Sequence, residues 1–346
     1  MATKKKIRFI INPISGHSRK AGLIKQINKF LDKEKFDPSI VYTEYGGHAC
    51  KLAKEAADEG IDIVVAVGGD GTINEVGRSL IHTGTALAII PYGSGNGLAR
   101  HLLIPLNAKK AIQIINECEI HTLDYGKING IPFFCTCGMG FDALVSMKFA
   151  DSEKRGPTTY MENVFTEVLK YKPETYEIED ETGMKSYKAF LITCANASQW
   201  GNNAFIAPHA SMSDGLMDVI IVEPFNAIEA PELGLQLFSK SIDRNNKIKT
   251  FKSRKIHIHR STASVIHFDG DPTMTSQDVT VEMIPKGINM VVNPNKHPVD
   301  ERDTDKTALD TITDLMNGIY DVRDELMRTR KRIQLWHKII FHKFGI

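Results

Sequence analysis

IDIVVAVGGDGTINEVG, residues 61 to 77, is the run around which the rest of the chain is organised. From Ile61 to Val67 every residue except Asp62 is apolar, and the run stops at Gly68-Gly69-Asp70-Gly71-Thr72. An apolar run of this length, rich in β-branched residues and cut off by glycine, reads as a buried strand of a parallel sheet. Beyond the glycines, Thr72 is placed to cap a helix starting near Ile73 and running through Glu75 and Val76. The expectation is strand, glycine turn, helix, with the Asp70 carboxylate held in the turn. Glycines leave room for backbone N–H groups to close around phosphate oxygens, and a helix N-terminus favours the same anion. A tight turn alone would also use glycines, so a second loop of the same kind is what turns this into a phosphate site.

That second loop exists. Ala86 to Pro91 is another apolar strand and ends in Tyr92-Gly93-Ser94-Gly95-Asn96-Gly97. Upstream, Lys6 to Asn12 reads as a first strand ending in Asn12-Pro13-Ile14-Ser15-Gly16, and Ser39 to Thr43 as a second. Between them lie helical spacings at Ala21–Leu31 and Gly47–Gly60; Leu98–Leu103 and Asn107–Glu117 close the unit. Strands alternating with helices specify a doubly wound parallel sheet, whose ligands bind at the carboxyl ends of the strands. Two glycine loops at one sheet edge suit a triphosphate.

After Ile120 the pattern changes. His121–Ile128, Phe133–Cys137, Thr175–Glu179, Tyr187–Cys194, Met217–Val222, Lys255–His259, Val265–Phe268, Val279–Ile284 and Ile288–Val292 read as strands. Few helices separate them, Met161–Lys170 and Ile228–Leu237 being the clearer ones. An antiparallel sandwich or barrel is expected. The expected domains are 1–123, an α/β nucleotide-binding unit; 124–298, a β-sandwich for the substrate; and 299–346, an amphipathic helical extension. In that extension Asp300–Met327 is mostly acidic, whereas Arg328–Ile346 carries six bases and no acid, interleaved with Leu335, Trp336, Ile339, Ile340, Phe341 and Phe344. Such an end can lie on an anionic membrane, or pack on its own domain or on a second copy of the chain as a homodimer.

The bulk properties exclude little. Net charge is +1, so nothing global points to nucleic acid. Five cysteines without zinc spacing, Cys135 and Cys137 expected on one face of a strand, suit a reduced, cytoplasmic compartment. No run approaches the roughly 18 apolar residues that would span a bilayer. The expected location is cytoplasmic, at most peripheral to a membrane.

The chemistry expected at the crevice is phosphoryl transfer, which needs positioned phosphates, Mg²⁺ and a carboxylate near the acceptor hydroxyl. The P-loop pattern GxxxxGK[ST] is absent. Asp70 is placed to meet a metal and an acceptor. Ser211-Met212-Ser213-Asp214-Gly215-Leu216-Met217-Asp218 offers a carboxylate beside turn carbonyls, a hard-cation set or an ordinary Asp-Gly turn. Phe268-Asp269-Gly270-Asp271 holds two acids about a glycine. Gly138-Met139-Gly140-Phe141-Asp142-Ala143 fits GxGxxA but lies outside any βαβ unit, so it is discounted for dinucleotides.

Taken together, Gly68-Gly69-Asp70-Gly71-Thr72 with Asn74-Glu75, Pro91-Tyr92-Gly93-Ser94-Gly95-Asn96, Ser213-Asp214-Gly215-Leu216 and Asp269-Gly270-Asp271 resemble the diacylglycerol kinase and sphingosine kinase family of lipid kinases. The resemblance covers about residues 5–296. It implies ATP held by Asn12, Pro13, Ser15, Gly16, Thr43, Gly68, Gly69, Gly71, Thr72, Asn74, Glu75, Gly93, Ser94, Gly95 and Asn96. It implies Mg²⁺ at Ser211, Asp214 and Leu216, the first and last through carbonyls, and a final segment packed back on the first domain. Bacterial members use the Glu of a DGE motif as base; Asp271 stands there, one methylene shorter. Sphingosine kinase-like members use the Asp of the glycine turn, here Asp70, so both are candidates. Bacterial members usually carry Asp after the Gly-Asn of the second loop; Gly97 is nearer to the sphingosine kinase pattern. Asp142 is a candidate contact for the lipid head group or a helix N-cap. The expected function is an ATP- and Mg²⁺-dependent kinase of a diacylglycerol or sphingoid base in a membrane, with NAD kinase or a non-catalytic nucleotide-binding regulator as alternatives.

Overall fold

The computed structural model describes residues 3–15, 22–150, 168, 170–226 and 228–294. Strands β1 (Lys5–Ile11), β2 (Phe36–Tyr42), β3 (Ile63–Gly68) and β4 (Ala86–Pro91) pair in parallel in the order β2-β1-β3-β4. Every residue of β3 and β4 is buried. Helix α2 (His48–Asp58) packs with α3 (Asp70–Leu80), and α1 (Leu23–Phe30) packs with α5 (Ala108–Glu117). Burial on both faces is why these strands are unbroken apolar runs rather than alternating ones. The order reverses between β1 and β3, which makes their carboxyl ends the switch point of the sheet.

The remaining strands are mainly antiparallel. Beyond the short α4 (Gly97–His101), β5 (Ile120–Ile128) and β6 (Ile131–Phe133) form a hairpin on the first sheet. A second sheet runs in the order β12 (Ile248–Ser253), β11 (Met217–Val222), β10 (Leu191–Ala195), β7 (Thr136–Gly140), β14 (Ser264–Phe268), β15 (Asp271–Thr275). Opposite it lie β8 (Glu174–Asp180), β9 (Gly183–Ala189) and β13 (Lys255–Arg260). Ile128, Tyr176, Ile256 and Val279 of the first sheet share one core with Cys137, Met139, Ile192, Val219 and Ile266 of the second. This is the expected sandwich. The long β16 (Asp278–Val291) joins its halves: it pairs antiparallel with β13 and β5, and its end reaches β4 in parallel at Met290–Leu87. The last described strand therefore returns to the first sheet.

Several elements differ from the sequence reading for identifiable reasons. Helix α3 begins at Asp70 with Gly69 as its N-cap residue, so Thr72 lies in the first turn and caps nothing. The run Tyr187–Cys194 breaks at Phe190, whose N–H donates to Val222 O (2.7 Å). Phe133–Cys137 breaks because Phe134 and Cys135 give their N–H groups to the Asp269 carboxylate; Cys137 alone of the two cysteines belongs to β7. Val279–Ile284 and Ile288–Val292 are one strand with a register shift against β5 between Ile284 and Ile288. Helix α6 (Phe141–Ala150) was not expected: in FDALVSMKFA the polar residues Asp142, Ser146 and Lys148 are scattered among apolar ones and leave no helical stripe. Helix α7 spans Ala230–Phe238. All five cysteines are free. The expected helix over Met161–Lys170 falls largely outside the described residues, and the extension from Val299 falls wholly outside them.

Candidate active site

The turns that follow β1, β3 and β4 share the carboxyl edge of the parallel sheet. After β1, Asn12 donates its backbone N–H to Val67 O (3.0 Å) and its Nδ2 to Thr72 Oγ1 (3.1 Å). Its Oδ1 accepts the Ile14 N–H (3.0 Å), and Ser15 Oγ donates to Asn12 O (3.2 Å), so the turn through Pro13 is fixed from within. Gly16 lies outside the described residues. Thr43, just past β2, is buried and donates its N–H to Ile11 O (3.0 Å).

The two glycine loops touch. A Cβ on Gly93 would sit 2.6 Å from Gly69 Cα, and one on Gly68 would sit 2.5 Å from the Thr72 side chain. Gly93 lets the two loop backbones touch, and Gly68 makes room for the Thr72 side chain. Gly71 is different: nothing lies within 4 Å of its would-be Cβ, and it is exposed at the start of α3. Asn96, in the left-handed region at φ 52°, closes the second loop by accepting the Gly93 N–H (2.9 Å) and donating to Gly93 O (2.8 Å). Ser94 is exposed at its tip. Gly97 packs against Gln199 O (3.3 Å from a would-be Cβ) and the Gly201 backbone. Packing thus accounts for glycine at 97 without appeal to the substrate.

Asp70 links the loops. Its Oδ2 accepts the Asn96 N–H and its Oδ1 the Gly97 N–H, both at 2.8 Å. Burial raises its pKa, and those two donors oppose the rise. Both carboxylate oxygens are therefore engaged by the N-terminus of α4. Glu75, one turn on, accepts the N–H groups of Gly47 (3.0 Å) and Ala49 (3.2 Å), capping α2 from a neighbouring helix. Asn74 donates Nδ2 to Asp269 Oδ2 (2.8 Å).

The two acids of the Asp-Gly-Asp turn have separate surroundings. Asp269 is half-buried as a residue and also accepts the N–H groups of Phe134 (2.8 Å), Cys135 (2.7 Å) and Thr136 (3.2 Å). Burial raises its pKa and these donors resist. Asp271 opens β15, opposite Phe268, and is exposed as a residue. Partial burial of its carboxyl group raises its pKa; the Arg78 cation pulls it down, and Glu75 and Asp70 push it up. The Arg78 guanidinium lies 5.9 Å from the centre of the Phe268 ring. Asn74 and Arg78, four residues apart on α3, both face the β14–β15 hairpin, through Asp269 and Phe268. Among the described residues Asp271 is thus an exposed acid within electrostatic reach of Arg78, Glu75 and Asp70 of α3.

The remaining candidates lie elsewhere. In the 211–218 turn, Asp214 Oδ1 accepts the Leu216 N–H (3.1 Å), and Oδ2 takes the Lys252 ammonium (2.8 Å). The same ammonium lies 3.3 Å from Asp218 Oδ2. Burial opposes the Lys252 charge, but Asp214 and Asp218 outweigh it and raise its pKa. Ser211 Oγ contacts Ser213 Oγ (3.2 Å). Carboxylate and carbonyl oxygens are right in kind for magnesium; here the Asp214 carboxylate is paired with the Lys252 ammonium, which an ion at this turn would have to displace. Asp142 stands in the first turn of α6, so it is not an N-cap. Its carboxylate enters the notch left by Gly138, accepting from Thr193 Oγ1 (2.8 Å) and facing His267 Nε2 (3.1 Å). Both Asp142 and His267 are buried. Sequence reasoning missed Arg78, legible only as the i+8 partner of Asp70. It also missed Asp124, which ties the 211–218 turn to β16 by accepting the N–H groups of Gly215 (2.8 Å) and Lys286 (2.7 Å).

Comparison with known proteins agrees with this architecture. Residues 6–128 match the diacylglycerol kinase catalytic domain, and residues 135–292 match the YegS C-terminal NAD kinase beta sandwich-like domain. The chain belongs to the bacterial-type family of diacylglycerol kinases and YegS-like lipid kinases. It is similar to the diacylglycerol kinase of Bacillus subtilis, 29% identical over 276 residues that cover 77% of this chain and 90% of that protein. The diacylglycerol kinase of Staphylococcus saprophyticus is 27% identical over 272 residues, 78% of this chain and 89% of the relative. A crystal structure of a diacylglycerol kinase from Bacillus anthracis shares the fold, with a TM-score of 0.65 at 23% identity, covering 85% of this chain and 99% of that one. No helix among the described residues is long and apolar enough to cross a membrane.

Proposed function

We propose that this protein transfers the γ-phosphoryl group of ATP to the primary hydroxyl of a diacylglycerol. The observation that carries the reading is the Asp271 carboxylate, open beside Arg78 and facing the α3 surface that begins in the glycine loop. The phosphates would lie over Gly71 and the first N–H groups of α3, where the helix field favours an anion. Asn12, Ser15, Thr72, Ser94 and Asn96 frame that place, with Thr43, past the end of β2, on the nucleoside side. Asp70 and Glu75 act by holding it: one fastens the second loop to the first, the other fixes the N-terminus of α2. Asp271 takes the proton of the acceptor hydroxyl as its oxygen bonds to the γ-phosphorus. The bond from that phosphorus to the bridging oxygen breaks, ADP leaves, and the proton passes from Asp271 to solvent. Magnesium bound to the triphosphate would neutralise charge on the transferred group. We assign no step to the Asp214 turn.

Diacylglycerol is preferred over a sphingoid base because the relatives named above are diacylglycerol kinases and Gly97 has a packing reason of its own. The basic, aromatic segment from Arg328 is proposed to bring the crevice to an anionic membrane. Deleting residues 299–346 should abolish sedimentation with anionic liposomes at low salt; undiminished sedimentation removes that role. The activity itself is tested by presenting ATP labelled at the γ-phosphate with diacylglycerol, sphingosine and ceramide in mixed micelles, and with NAD in a parallel tube. Label in diacylglycerol supports the proposal. Label in NAD alone, or in no acceptor while ATP binds, rejects it.

A further inference from the structure

The turn that follows β2 carries a feature the phosphate site does not use. The Tyr45 ring is 59% exposed, yet it is not loose: it stacks on His48, ring centroids 4.5 Å apart and planes 4° apart. The chain builds this pair deliberately. His48 donates its N–H to Tyr45 O (3.2 Å), and Gly47 between them has φ 85° and ψ −10°, the third position of a type II turn. Only glycine takes that conformation cheaply. Tyr45 and His48 are the first and last residues of the turn, which brings their side chains alongside each other. His48 Nδ1 accepts the Glu44 N–H (3.1 Å), which fixes the imidazole beneath the phenol. Glu75 of α3 holds the Gly47 and Ala49 N–H groups, so the platform is tied to the same helix that begins the phosphate site.

Sheet order gives the distance. β2 lies two strand spacings from β3, with β1 between them, so its carboxyl end is about 10 Å from the glycine turn. That is the span from the outer phosphates of a nucleoside triphosphate to its base. We infer that Tyr45 is the surface on which the adenine ring stacks, with His48 as its backing; the inference rests on the nucleotide reading above. Ile14, 79% exposed on the intervening turn, is a second apolar side chain offered at this edge.

The test is calorimetric binding of ATP and of inorganic tripolyphosphate to the full chain, for wild type, Tyr45→Ala and Tyr45→Phe. Losing one base–aromatic stack should weaken ATP about tenfold in Tyr45→Ala. Tyr45→Phe should bind ATP like wild type, and tripolyphosphate should bind all three proteins alike. Equal ATP affinity in wild type and Tyr45→Ala, or an equal loss of tripolyphosphate affinity, overturns the inference and leaves the kinase reading standing. If wild type binds tripolyphosphate but not ATP, the nucleotide reading falls and this inference with it.

Discussion

Replacing Asp70 by Asn tests whether this residue holds the glycine loops, as its hydrogen bonds suggest, rather than acting as the proposed base. Asp70 accepts two main-chain N–H groups at 2.8 Å, from Asn96 and Gly97. An amide in the same place keeps one acceptor and turns its NH₂ group toward the other N–H. One hydrogen bond to a charged acceptor, about 1.5–3 kcal/mol, is lost, and one N–H is left facing a donor at about 1–3 kcal/mol. Burial already disfavours the ionised carboxylate, so removing the charge returns part of this. A net loss of about 2–3 kcal/mol is expected, which for a protein of this size lowers Tm by roughly 3–4 °C. The second glycine loop would then drift from the first, and ATP affinity should fall with it. Asp271→Asn, at an exposed turn, should keep Tm within about 2 °C and keep ATP affinity while losing transfer. Thermal unfolding, calorimetric ATP binding and lipid phosphorylation on both variants decide the matter. If Asp70→Asn melts and binds ATP like wild type but transfers nothing, Asp70 is the base and the argument from its hydrogen bonds is wrong.

Other consequences follow from the same contacts. Asp269→Ala strands three N–H groups and the Asn74 amide in the interior; it should cost about 4 kcal/mol or more, and an unchanged urea midpoint would contradict this. Gly93→Ala puts a methyl group 2.6 Å from the Gly69 backbone and should lower Tm, whereas Gly71→Ala, in open space, should not; differential scanning calorimetry compares them. A base must be ionised, so kcat/KM should rise with pH through a pKa above the ordinary aspartate range, where burial has moved Asp271. Arg78→Ala removes the cation that favours the ionised form and should move that limb to higher pH; an unmoved limb would detach Arg78 from the base. Lys252→Met leaves Asp214 and Asp218 without their counter-ion, so its Tm should fall and be restored by magnesium, while wild-type Tm stays insensitive to chelator.

The parallel half of the fold was legible because burial on both faces writes strands as apolar runs, and glycine marks where each one ends. β3 and β4 are read almost to the residue. The sandwich was legible in outline, but β12 and β15 are short, half-polar edge strands, and β15 contains Pro272. Helix α6 has no polar face to give it a period. The site was legible as a set of residues and not as a set of roles. Asp70 and Asp271 look alike as carboxylates beside glycine; what distinguishes them is that Asn96 and Gly97 meet one and Arg78 the other. Asn74 and Asp269 are 195 positions apart, and their hydrogen bond appears only once the β14–β15 hairpin lies over α3. Glu75, expected at the nucleotide, spends its carboxylate on the start of α2, a contact that no local motif announces.

The most direct measurement compares wild type with Asp271→Asn, at saturating ATP and magnesium, for initial rates of phosphate transfer to diacylglycerol in mixed micelles. Phosphorylated lipid from wild type, and a rate at least about a hundredfold lower from a variant that binds ATP normally, is the predicted result. Full activity in Asp271→Asn, or no transfer by wild type to any lipid offered, would contradict it.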